Sequence, residues 1–102
     1  MKNLFIGSNG LVAAIDSLNG SIIWEVKLDT GSSFLSSTQY QDVTILEESE
    51  YIFAGCNGHL FCLNAKTGKT LWHNKLSGWG NNDLSMSIGG KQIQAINKTE
   101  QK

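Results

Sequence analysis

An internal repeat constrains this chain more than any other feature of its sequence. The segments GSIIWEVKL (Gly20 to Leu28) and GKTLWHNKL (Gly68 to Leu76) share the pattern Gly-x-x-x-Trp-x-x-Lys-Leu. A shift of 48 positions aligns residues 4–28 with 52–76 without a gap. Eight pairs are then identical: Phe5/Phe53, Gly7/Gly55, Asn9/Asn57, Gly10/Gly58, Gly20/Gly68, Trp24/Trp72, Lys27/Lys75 and Leu28/Leu76. Other apolar positions, such as Ile15/Leu63 and Ile23/Leu71, remain apolar. A supersecondary unit used in this way cannot bury its hydrophobic faces alone, so its stability must come from stacking against neighbours.

Each unit reads as strands and turns, and no helical periodicity of useful length interrupts them. LFIGS-NG-LVAAID and YIFAGC-NG-HLFCLN are each two β-rich runs joined by Asn-Gly. That dipeptide is a strong hairpin signal, because the tight turn needs positive φ at both central residues. The next turns, SLNG and AKTG, end in Gly, and a third strand follows in each copy. YQDVTIL adds a fourth strand before the second unit, joined to it through the acidic turn Glu47–Glu50. The final run LSMSI-GG-KQIQAIN reads as another hairpin. In the lettering A to D for the strands of one sheet, the order is B-C-D, then A-B-C-D, then A-B. The units are expected at about 3–28, 39–76 and 84–98, within a single domain of 102 residues.

Strand parity predicts burial. Residues opposite one another across Asn57-Gly58 share a face. One face then carries Ile52, Ala54, Cys56, Phe61 and Leu63, and the other Phe53, Leu60 and Cys62 with Tyr51 at its end. Both are apolar, so strands B and C should be covered on both sides. In IIWEVKL, by contrast, Ile22, Trp24, Val26 and Leu28 alternate with Ile23, Glu25 and Lys27, as in a strand wet on one face. Cys56 and Cys62, the only two cysteines, fall on opposite faces, which argues against a disulfide between them.

Ala14, Asp16, Gly20 and Trp24, within AIDSLNGSIIW, resemble the tryptophan-docking motif Ala-x-Asp-x-x-x-Gly-x-x-x-Trp of quinoprotein-type β-propellers, the pyrroloquinoline-quinone-like repeat. The second copy, CLNAKTGKTLW, keeps Gly68 and Trp72 but has Cys62 for Ala and Asn64 for Asp. The resemblance implies an all-β fold of four-stranded antiparallel blades, with an incomplete propeller per chain. It also implies that the Trp packs on a neighbouring blade with its indole N–H on a backbone acceptor, and that Asp16 and Asn64 cap the C–D turns. A large buried side chain in that role should cost roughly 3–5 kcal/mol when replaced by Ala. Dehydrogenases of this class bind the quinone (PQQ) with calcium and a catalytic Asp, on residues outside the repeat. No matching set is found here, so no cofactor is expected unless the chain is a segment of such an enzyme.

Other chemistry is sparse. A net charge of −1 without a Lys/Arg cluster argues against nucleic-acid binding, and the longest apolar run, Leu11 to Ile15, is too short for membrane insertion. No signal peptide is visible, so the expected compartment is the cytoplasm, or the cell envelope if a leader was removed. TGKT (Thr67–Thr70) lacks the first Gly of a phosphate loop and precedes a strand. His59 and His73 lack partners at metal-ligand spacing, and Glu47, Glu48 and Glu50 read as a solvated turn. Catalytic, cofactor and metal sites are therefore expected to be absent.

The loops on one propeller face offer Phe34, Trp79, Asn81 and Asn82 as a ligand or partner surface. The expected function is a non-enzymatic binding or scaffold module. Its partners would be other proteins or copies of itself, three or four of which would close a ring of six or eight blades. The alternatives are a segment of a quinoprotein-like oxidoreductase and an envelope protein-assembly scaffold.

Overall fold

The computed structural model describes residues 3–30, 38 and 40–93. Every regular element among them is a β-strand. Strands β1 (Asn3–Ser8), β2 (Leu11–Asp16) and β3 (Ile22–Lys27) form a three-stranded antiparallel sheet in that order. Strands β4 (Val43–Glu48), β5 (Tyr51–Cys56), β6 (His59–Asn64) and β7 (Thr70–Asn74) form a four-stranded antiparallel sheet. β8 (Met86–Ile88) and β9 (Lys91–Ile93) make a separate hairpin. Phe34, expected on the loop face, and residues 94–98, expected to end the last hairpin, lie outside the described residues.

Local chemistry sets these elements. Asn9 and Gly10 have φ of 53° and 77°, and Asn57 and Gly58 have 51° and 82°, the doubly left-handed turn that matches strand twist. Both copies also carry the same irregularity in the third strand. Ala14 faces Trp24 while Ile15 faces Ile22, and Cys62 faces Trp72 while Leu63 faces Thr70. One residue is extra each time, Ile23 and its repeat mate Leu71. The strict alternation expected for IIWEVKL therefore breaks: the bulge turns Ile22 to the face opposite Trp24.

The two larger sheets stack face to face around the core. Val12 and Leu28 from the first sheet meet Ile52, Ala54, Cys56, Phe61 and Leu63 from the second, and all seven are fully buried. Phe5, Trp24, Val26, Val43, Ile45 and Ala65 pack around them. At the inner edge, a Cβ on Gly7 would lie 2.7 Å from a Val43 methyl, so only Gly lets β1 approach β4 this closely. Gly55, its repeat mate, is crowded in turn by Leu84 just before β8, where a Cβ would lie 3.0 Å away.

Coverage of strands B and C is unequal. In the second sheet Cys62 is 2% exposed, and the β8–β9 hairpin leans on the outer face beside it. In the first sheet the outer face is open: Leu4 is 53% exposed and Ile6 is 47% exposed. The two-sided burial read from the apolar pattern thus holds for β6 and not for β1. Among the described residues, no helix is long and apolar enough to cross a membrane.

Candidate functional site

The C–D turns that precede the tryptophans share one hydrogen-bonding scheme. Asp16 Oδ1 accepts from the Leu18 N–H at 2.8 Å, and the Asp16 carbonyl accepts from the Gly20 N–H at 2.8 Å. Asn64 does the same with Lys66 at 2.8 Å and Gly68 at 2.7 Å, and its Oδ1 also takes the Thr67 N–H at 3.1 Å. A carboxylate and an amide oxygen are interchangeable here because the turn needs only an acceptor. Gly20 and Gly68 both have φ of +81°, where a side chain is strained.

The copies then diverge. The Trp24 indole N–H crosses to the second sheet and donates to the Ala65 carbonyl at 3.0 Å, and its ring covers Gly68. A Cβ there would lie 2.6 Å from the Trp24 ring and 3.0 Å from a Val26 methyl. Ala14 is fully buried opposite Trp24, and Phe5 tilts against the indole at 6.0 Å between centroids. Trp72, by contrast, is 45% exposed, and a Cβ on Gly20 would meet nothing within 4 Å. Trp72 lines an open groove of about 370 Å³ with Leu46, Phe53, Leu60, Met86 and Ile88.

The opposite end of the sheets carries the loops. The Gly10 N–H donates to the Gln41 carbonyl at 2.8 Å, and the Leu28 N–H donates to the Gly10 carbonyl at 2.9 Å. Buried Thr38 donates its hydroxyl to the Leu28 carbonyl, which ties the connection between the sheets to the first Asn-Gly turn. In the later loop Trp79 is 71% exposed, and its backbone N–H donates to the Leu76 carbonyl at 3.0 Å. Asn81 and Asn82 are also exposed. The structure therefore presents Trp79, Asn81 and Asn82 together on one loop. They are distant in the repeat from the tryptophan joint.

One grouping escaped the reading of the sequence. His59 Nδ1 and His73 Nε2 are 2.9 Å apart, a direct imidazole–imidazole hydrogen bond across β6 and β7. His73 lies parallel to Phe61 at 4.4 Å. Burial lowers the pKa of both from 6.5; the positive charge of Lys75 adds to this at both, His59 itself adds at His73, and Asp29 opposes it at His73. The register beyond the Leu71 bulge makes the pair: His73 sits opposite Phe61, so His59 is its diagonal neighbour on the same face.

Cys56 and Cys62 are free and buried, and burial aided by Asp83 raises the Cys56 thiol to about 11. The acidic turn is engaged from β9, where Lys91 Nζ lies 3.1 Å from Glu48. Among the described residues, no three His, Cys, Asp or Glu side chains converge as a metal site.

Comparison with known proteins adds to this geometry. An uncharacterized protein of Methanocaldococcus jannaschii, MJECL23, is 37% identical over 81 residues. The match covers 74% of this chain and 9% of that protein, so the chain spans under a tenth of the length of its relative. Residues 8–100 match the pyrroloquinoline-quinone-like repeat family described as outer membrane protein assembly factor BamB. With a repeated Gly-x-x-x-Trp segment, stacked antiparallel sheets and that match over most of its length, the chain belongs to this family of β-propeller repeat proteins.

Proposed function

We propose that the chain is a non-enzymatic propeller module that works by binding protein through its open sheet faces, copies of itself included. The observation that carries this reading is the unequal fate of the two tryptophans. The same motif that joins two sheets at Trp24 is left half-exposed at Trp72, beside an apolar groove. Exposed apolar surface of this kind on a stacked-sheet unit is suited to another sheet face. The assembly-factor description of the family is consistent with a scaffold role, and on that reading the exposed loop at Trp79 is a second contact surface.

The alternative is a segment of a quinone-dependent oxidoreductase. Titrating the protein with pyrroloquinoline quinone and calcium separates the two. The proposal expects no bound quinone chromophore and no dye-linked alcohol or glucose oxidation; a stoichiometric chromophore with dye reduction would overturn it.

A further inference from the structure

Resting on the reading of the chain as a protein-binding module, we infer that the partner of the Trp72 face is the Ser17–Gly20 turn face of a second copy, joined head to tail. The repeat itself supplies the template. A shift of 48 positions carries Trp24 onto Trp72, Val26 onto Asn74 and Phe5 onto Phe53. The same shift carries Ser17 and Gly20 onto Ala65 and Gly68. The joint seen inside the chain is therefore formed by a Trp24-type face and a Gly68-type turn. One of each, the Trp72 face and the Ser17–Gly20 turn, lies outside that joint, at opposite ends of the stack.

Each unused half has the shape its partner requires. Gly20 shares the +81° φ of Gly68 and has the open space that Gly68 lacks, so a second indole can lie over it. The Trp72 indole would donate to the Ser17 carbonyl of the second copy, as Trp24 does to Ala65 at 3.0 Å. The outer face of the first sheet, with Leu4, Ile6, Leu11 and Ile22 exposed, is the repeat counterpart of the buried face of the second sheet. Strand edges agree as well. β9 lies toward β4, where Lys91 reaches Glu48, while β8 borders the groove beside Trp72. Among the described residues β1 pairs only with β2, and β8 only with β9. β8 can thus extend the β1–β2–β3 sheet of the second copy along its free edge without moving β9. The contact is heterologous, so it propagates and closes only if the rotation per copy permits.

The test uses cysteine pairs placed by this template. A Cβ on Gly68 would lie 3.0 Å from a Val26 methyl, so Val26→Cys with Gly68→Cys in one chain is the intrachain control. The repeat counterparts are Asn74→Cys and Gly20→Cys, made in separate chains and mixed under mild oxidation. A disulfide-linked dimer in the mixture, and in neither variant alone, is the expected result. Adding Trp72→Ala should lower its yield at least about tenfold, as loss of a central aromatic anchor does. A mixture without dimer while the control pair closes would overturn the inference, and so would equal dimer from either single variant. If Gly20→Cys does not fold, hydrogen exchange of the unaltered protein replaces it. Protection of the Ser17–Gly20 turn and of β1 should rise with protein concentration, and protection independent of concentration overturns the inference. Failure here leaves the non-enzymatic reading standing, since quinone binding and dye reduction are what would remove that.

Discussion

Trp24 and Trp72 hold the same place in the repeat and meet different surroundings, so their replacement should have different effects. Trp24→Ala removes an indole wedged between two sheets and orphans the Ala65 carbonyl, at a cost of about 3 kcal/mol. Trp72→Ala in the dissociated chain should cost less than about 1 kcal/mol, because the ring is nearly half in water. Urea denaturation of both variants checks this, and equal losses would contradict the docked geometry. The glycines give a matching pair. Gly20→Ala carries only the left-handed backbone strain, about 1 kcal/mol. Gly68→Ala adds a Cβ 2.6 Å from the Trp24 ring, so it should cost about 1–3 kcal/mol more. Cys56 offers a third residue-level check. With a thiol pKa of about 11, only about one molecule in a thousand carries the thiolate at pH 8, so labelling by a disulfide reagent should wait for unfolding. Rapid labelling of Cys56 in the native protein at that pH would show that the inter-sheet core is open.

At the scale of strands and turns, much is legible in the amino-acid sequence alone. The Asn-Gly hairpins, the Gly-ended turns and the division of apolar residues between the faces of β5 and β6 follow from local rules, and the structure has them in register. The bulge at Ile23 and Leu71 is not legible. Both are apolar residues in an apolar run, and parity assumes one residue per step. The His59–His73 bond is hidden by the same bulge, because only the shifted register sets His73 opposite Phe61 and on the face of His59. That pair gives β6 and β7 a pH dependence of definite sign. Both imidazoles have a folded pKa below the ordinary 6.5, so as pH falls below that value the unfolded chain binds more protons than the folded one. Their contribution is thus flat at higher pH and becomes destabilising from roughly pH 6.5 downward. Thermal midpoints of the native chain and of His73→Phe, which keeps the ring on Phe61, should draw apart in the variant's favour as the pH falls from roughly 7 to 5. Parallel curves would mean that the pair does not resist protonation.

At the scale of the whole molecule, the stacking of sheets is legible in the sequence, because a repeat with two apolar faces demands neighbours. That one joint is made and its counterpart left open is not, since both copies carry the same motif. The difference is set by what lies across from each tryptophan: Gly68 and Ala65 for Trp24, an open groove for Trp72. The central claim is that this open half is a place where protein binds, first of all another copy of the chain. The molar mass of the purified protein by size-exclusion chromatography with multi-angle light scattering tests it most directly. The account predicts a mass that is a multiple of 11.1 kDa, rising with concentration or fixed at a closed ring. A compact species of 11.1 kDa that persists at high concentration would contradict it.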